Sequence, residues 1–126
     1  MIDKFQSYEK IKQAIETDQY TYFQAWMEKE PVGYCGVQPQ HDRLFLSKLY
    51  MLTSYRGKGI GTALIKEAIQ YAEKQKLKAV YLTVNKQNET GIALYQHLGF
   101  QIIDAVQSDI GHGYIMDDYI MELKLP

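Results

Sequence analysis

Cysteine is nearly absent from this chain. Cys35 is the only one in 126 residues, so no disulfide can form within the chain. It sits in a strand-like run and reads as a small buried hydrophobe; a catalytic thiol would need a His and an Asn or Asp beside it, which the sequence does not place there. Proline is scarce, at three residues, and no repeat, low-complexity tract or linker interrupts the sequence. There is no run of about eighteen apolar residues, and no charged-then-apolar leader pattern opens the chain. The expectation is a cytoplasmic protein with no membrane partner. Charge of one sign is lacking too. The formal net charge is −1, which argues against nucleic acid as a partner.

What remains is an ordinary globular composition, 46% hydrophobic and 23% charged. The length fits one domain over residues 1–126, with enough chain to bury about two-thirds of its unfolded surface. Neither a disulfide nor a metal is needed for it to fold. Eleven tyrosines fall mostly in strand-like runs, where aromatic side chains suit a half-buried pleated surface.

Hydrophobic periodicity divides the chain into alternating elements. Residues Ser7 to Thr17 read as a short amphipathic helix with Tyr8, Ile11 and Ile15 on one face. Tyr20 to Glu28, Val32 to Val37 and Arg43 to Leu52 read as strands, with a turn at Lys29-Glu30-Pro31 and a polar loop over Gln38 to Asp42. Gly59 to Lys76 is the strongest helix, its apolar stripe formed by Ile60, Leu64, Ile65, Ala68, Ile69 and Ala72. Ala79 to Val84 is a short apolar strand of the kind found in a sheet centre. Thr90 to Leu98 is a helix stopped by Gly99. Gln101 to Val106 and Tyr114 to Leu123 complete the set, joined through Gly111-His112-Gly113. The pattern predicts an α/β (α+β) fold: a mixed, mostly antiparallel sheet with a central right-handed β-α-β unit.

The most telling stretch runs from Leu49 to Ile65. An apolar strand enters a glycine-rich turn, and the turn opens the strongest helix. Free N–H groups at a helix start, with the helix dipole behind them, bind anions such as phosphates. Gly57, Gly59 and Gly61 would let a ligand approach the backbone. Neither G-x-x-x-x-G-K-[ST] nor G-x-G-x-x-G fits: Thr62 and Leu64 occupy the positions where the second pattern needs glycine. What fits is R-x-x-G-x-G, from Arg56 to Gly61. Further on, the segment Thr83 to Phe100 presents Asn88, Tyr95, Gly99 and Phe100 in order. Taken alone, the glycine loop is also readable as a tight strand-to-helix turn.

Together these segments resemble the two cofactor motifs of the GNAT superfamily of N-acetyltransferases. The resemblance runs from about Val32 to the C-terminus, with Gly91 standing where the second motif usually has alanine. It also implies that the family's first strand and helix are missing, the chain starting at the second helix.

The resemblance implies acetyl-CoA as co-substrate, with no metal, and a cofactor site made of Leu49, Tyr50, Met51, Arg56, Gly57, Lys58, Gly59, Ile60, Gly61, Thr62 and Asn88. Arg56 to Gly61 would hold the pyrophosphate. Leu49, Tyr50 and Met51 would pair with the pantetheine arm like an added strand, with the Met51 N–H near the thioester oxygen. Asn88 has two readings, a pantetheine contact and a helix N-cap, and Asn85 is a weaker candidate for the first. Tyr95 also has two: a general acid for the coenzyme A thiolate, its ordinary pKa of about 10 being close to that of an alkyl thiol, and a packed aromatic. The family's frequent general-base Glu has no counterpart in Leu44 to Leu49. Asp117, Asp118, His112 and His41 are the remaining candidates, each also readable as a surface or turn residue. Asp109, Asp117 and Asp118 could form an acidic mouth for a cationic amine.

The function implied is acetyl transfer to a primary amine of a small molecule, polyamines included, with peptide amines behind it. A homodimer is common among such proteins. The rival from another class is an acetyl-CoA-binding sensor or regulatory subunit without turnover. A tRNA-acetylating toxin would need a basic surface, against which the net charge speaks.

Overall fold

The computed structural model describes residues 10–17, 20–27, 30–51, 59–111 and 114–126. Among these residues seven strands form one sheet: β1 (Lys10–Thr17), β2 (Tyr20–Met27), β3 (Glu30–Gln40), β4 (Arg43–Met51), β5 (Ala79–Asn85), β6 (Gln101–Gly111) and β7 (Tyr114–Lys124). Two helices follow β4 and β5: α1 (Ile60–Lys74) and α2 (Glu89–His97). The strand order is β1-β2-β3-β4-β5-β7-β6. Every ladder is antiparallel except that between β4 and β5, which is parallel and spanned by α1. The expected mixed sheet with a β-α-β centre is therefore present.

Helix position follows from connection handedness. The β4-α1-β5 and β5-α2-β6 crossovers both step in the same direction across the sheet, and right-handed crossovers of that kind put their helices on one face. The buried side chains agree. Leu44 and Leu46 of β4, Val80, Leu82 and Val84 of β5 and Met121 of β7 form one cluster with Ile60, Leu64, Ile65, Ala68 and Ala72 of α1; Ile92, Leu94, Tyr95 and Leu98 pack against it. Full burial of a side chain such as Leu64 or Ile65 contributes about 1.5–3 kcal/mol.

Three expectations are corrected. Lys10–Thr17 is a strand paired antiparallel with β2, not part of a helix over Ser7 to Thr17. Ile11 and Ile15 are spaced as on a helix face, but in the strand the register shifts between Gln13 and Ile15, setting Ile11 opposite Ala25 and Ile15 opposite Tyr22. Pairing with the edge of β2 overrides that helical spacing. The resemblance also implied a missing first strand, yet a strand stands at the sheet edge beside β2. Finally, Gln38 to Gln40 belong to β3, so the polar loop before β4 shrinks to a turn at His41 and Asp42. Pro31 and Pro39 both lie within β3, a strand whose polar end gave no apolar alternation to read.

Candidate active site

Strand β4 is held on one side along its whole length and on the other for only part of it. Its pairing with β3 runs from Arg43 opposite Gln40 to Met51 opposite Gly33. Among the described residues, its pairing with β5 covers Arg43, Leu44 and Phe45 against Ala79, Val80 and Tyr81. Strand β5 meanwhile stays on β7 out to Asn85 opposite Asp118. A wedge therefore opens between β4 and β5, and the backbone edge of Leu46 to Met51 faces into it.

The sequence holds a local cause. The register shifts between Gly36–Lys48 and Val37–Leu46, which leaves Ser47 as an extra residue. Such a β-bulge bends its strand and strengthens the twist. The Ser47 hydroxyl donates to the Gly36 carbonyl at 3.3 Å, fixing the bulge to β3 as β4 turns away from β5. No composition or periodicity signal marks Ser47; one extra residue in a strand shows only when its partner is known.

At the wide end of the wedge lies a cleft of about 440 Å³ lined by Leu49, Tyr50, Asn88, Thr90, Gly91, Leu94 and Tyr95. It brings together residues that the sequence separates by some forty positions. Leu49, Tyr50, Asn88 and Tyr95 were expected; Thr90, Gly91 and Leu94 were not. Those three share a helix turn with expected residues, and that proximity was the available signal. Met51 ends β4 opposite Gly33.

The start of α1 supplies the second half of the site. Gly59 is the N-cap, with φ 82°, and among the described residues no side chain caps the helix. No acidic residue occupies the first turn either. The N–H groups of Ile60, Gly61 and Thr62 fall among the first-turn donors that a helix cannot satisfy internally. Ile60 and Gly61 are buried and Thr62 half-buried. Arg56, Gly57 and Lys58 lie outside the described residues.

Helix α2 is fixed at both ends. Asn88 is its N-cap and accepts from the Gly91 N–H at 3.0 Å. The capping reading of Asn88 is thus realised, and its Nδ2 is left as a donor beside the cleft. Glu89 in the first turn and His97 in the last complement the dipole. At the C-terminus, Gly99 adopts φ 102°. Its N–H donates to the Gln96 carbonyl at 3.0 Å, and the Phe100 N–H donates to the Tyr95 carbonyl at 3.0 Å. This is a Schellman cap, and it accounts for the Gly-Phe pair that ends the second motif. Burial raises the Tyr95 phenol above its ordinary pKa of 10.0, so near neutrality the group carries a proton.

The candidate bases are scattered. His41, at φ 58°, lies in the turn between β3 and β4, about 25 Å along β4 from Tyr50 at the usual rise per residue. His112 lies outside the described residues. Asp117 is paired with Lys86 Nζ at 2.8 Å, and this hydrogen bond raises the Lys86 pKa. Asp118 is buried. Successive residues of a strand face opposite ways, so Asp117 and Asp118 cannot share one acidic mouth. The Asn85 side chain accepts from the Gln87 N–H at 2.9 Å in a local turn. Cys35 is buried in β3, with its thiol directed at the Leu64 carbonyl at 3.7 Å and burial pushing its pKa up to about 12. It is the inert hydrophobe expected. Among the described residues no cluster of His, Cys, Asp and Glu is arranged to hold a metal, and no helix is long and apolar enough to cross a membrane.

Comparison with known proteins agrees with this geometry. Residues 2–100 match the model of the acetyltransferase (GNAT) family. The chain is 32% identical over 108 residues to YjgM of Escherichia coli K12, an uncharacterized N-acetyltransferase, covering 82% of this chain and 65% of that protein. It is 33% identical over 100 residues to the spermine/spermidine N(1)-acetyltransferase of Bacillus subtilis 168, covering 72% of this chain and 66% of the relative. The chain thus spans just under two thirds of the length of each. Among solved structures, the PaiA N-acetyltransferase of Thermoplasma acidophilum in complex with coenzyme A superposes with a TM-score of 0.73 at 26% identity, over 85% of this chain and 62% of that one. A strand that parts from its parallel neighbour, an uncapped helix start beside it and the family match over residues 2–100 converge: this chain belongs to the GNAT acetyltransferase family.

Proposed function

We propose that this chain is a single acetyltransferase domain, residues 1–126, that moves an acetyl group from acetyl-CoA to a primary amine of a small molecule. One observation carries the reading. The free edge of β4, from Leu46 to Met51, faces a cleft that also contains Tyr95. An unpaired strand edge offers a row of donors and acceptors to an extended ligand. The pantetheine arm, with its two amides, is such a ligand.

In this reading the backbone of Leu49, Tyr50 and Met51 holds the pantetheine amides. The N–H groups of Gly59, Ile60, Gly61 and Thr62 hold the pyrophosphate, with Arg56, Gly57 and Lys58 completing the loop. Asn88 Nδ2 donates to the pantetheine while Oδ1 keeps the helix cap. The Met51 N–H stabilises negative charge on the thioester oxygen as the amine nitrogen bonds to the carbonyl carbon. The carbon–sulfur bond breaks, and Tyr95 gives its phenolic proton to the departing sulfur. The amine enters neutral, having released one proton to solvent before attack; the nitrogen loses a second to solvent as the amide forms, and solvent returns a proton to the Tyr95 phenolate.

A small cationic amine such as a polyamine is the acceptor class best supported, since the B. subtilis relative is named for spermine and spermidine. A cytoplasmic setting and a homodimer go with the reading. The outer edge of β6, where Ile102 and Ile103 are exposed, is a suitable place for a second copy. The test incubates purified protein with acetyl-CoA and a panel of amines, polyamines and peptides, following thiol release and product mass. An acetylated amine is the expected result. Acetyl-CoA binding without turnover on any acceptor favours the sensor reading, and absence of binding overturns both.

A further inference from the structure

The sheet face opposite the helices carries a buried carboxylate, that of Asp118. Asp118 is 9% exposed, and among the described residues its Oδ1 makes no hydrogen bond. Strand alternation fixes its direction. Met121 lies in the core and Tyr119 packs against it, so Asp118 and Ile120 point to the other face. The register sets Asp118 beside Asn85, the last residue of β5, at the wide end of the wedge. Its sequence neighbour Asp117 points the other way and is answered by Lys86 at 2.8 Å. A buried carboxylate oxygen lacking a donor is destabilising in itself and is expected where a ligand brings the donor.

The opposite lip of the wedge shows a matching surface on the same face. Tyr34 and Tyr50 pair across β3 and β4, while their neighbours Cys35 and Leu49 turn toward the core. The two tyrosines are 37% and 47% exposed, with ring centroids 5.5 Å apart. Aromatic faces attract an ammonium group and cover a methylene chain. Tyr95 works from the helix side, which leaves this face for the incoming amine.

We infer that Asp118, with Tyr34 and Tyr50 across the wedge, forms the subsite that receives an alkylammonium group of the acceptor. This deepens the acetyl-transfer reading above and rests on it for the position of the thioester. The acceptor enters from the helix-free face, an ammonium group other than its reacting amine answered by the Asp118 carboxylate and its carbon chain lying on the tyrosine pair. A neutral acceptor of the same length leaves Asp118 unanswered and binds more weakly.

The test is calorimetric titration of spermidine into the coenzyme A complex of the parent, Asp118→Asn, Asp117→Asn and Tyr34→Leu proteins. Asp118→Asn is expected to weaken spermidine binding about ten-fold or more, with coenzyme A affinity unchanged. Tyr34→Leu is expected to weaken it by about three-fold, and Asp117→Asn by no more than about two-fold, because Lys86 already neutralises that residue. Melting curves give a second readout: Asp118→Asn melts above the parent without spermidine, and spermidine raises the melting temperature of the parent by more than that of Asp118→Asn. Equal spermidine affinity in parent and Asp118→Asn overturns the subsite, as does an equal loss in Asp117→Asn. A parent that binds spermidine through Asp118 but acetylates no amine refutes the acetyl-transfer reading and leaves the subsite standing.

Discussion

Phe100 holds Tyr95 in two ways at once. Its N–H donates to the Tyr95 carbonyl at 3.0 Å, and its ring lies 5.9 Å from the tyrosine ring, centroid to centroid. The phenol that faces the cleft is therefore fixed through its backbone and its ring by a residue that is itself buried in the core.

Tyr95→Phe keeps the ring and removes the proton donor. Steady-state kinetics should show kcat reduced by about 10²-fold or more, the usual contribution of a general acid, with acetyl-CoA affinity close to the parent's. Because burial raises the Tyr95 pKa above 10.0, the parent should lose activity through this group only as pH rises beyond that value. The linkage has the same sign. A group whose pKa is raised on folding contributes stability below its unfolded pKa and loses it as pH climbs through the folded one. Unchanged kcat in Tyr95→Phe would exclude Tyr95 as the acid.

Gly99→Ala attacks the same anchor from outside. Gly99 needs a left-handed backbone, φ 102°, and an added Cβ would stand 3.1 Å from Leu123 Cδ1. The expected cost is about 1–2 kcal/mol in urea unfolding. Turnover should fall further than stability explains, since the Schellman cap that sets Tyr95 is strained.

Asn88 and Gly91 should show coupling. A Cβ at Gly91 would stand 2.5 Å from Asn88 Nδ2, which is why glycine suits a position where helix propensity favours alanine. In an Asn88→Ala background, Gly91→Ala should stabilise by about 1 kcal/mol. In the parent the gain should be smaller, because the new methyl displaces the cap, itself contributing about 1 kcal/mol. A double-mutant cycle by chemical unfolding measures the difference. Additive effects would mean that the Asn88 side chain does not lie over Gly91 in solution.

Cys35 should resist alkylation while the protein is folded. Its thiol is pushed from 9.0 to about 12 by burial, so iodoacetamide labelling near neutral pH should track unfolding rather than thiol chemistry. The raised pKa carries stability that is present below about pH 9 and lost between 9 and 12. The loss is about 1.4 kcal/mol per pH unit while the unfolded thiol alone is ionised. Cys35→Ala should flatten that part of the stability profile.

The sequence by itself determined the elements whose signals are local. The α1 stripe from Ile60 to Ala72 reads as a helix because one face must be apolar at a period of 3.6. Gly99 reads as a helix stop because a left-handed residue is needed there, and Asn88 was legible as a cap. The loop from Arg56 to Gly61 and the segment from Asn88 to Phe100 were enough to indicate the family. The tertiary structure alone decided what depends on partners. Lys10–Thr17 is a strand because it pairs with the edge of β2, with a bulge between Gln13 and Ile15 that its own spacing does not announce. Ser47 is a bulge only relative to β3, and the wedge follows from where β4 leaves β5. Asp117 and Asp118, adjacent and chemically identical in the sequence, part ways because a pleated strand sends one to Lys86 and the other to the opposite face.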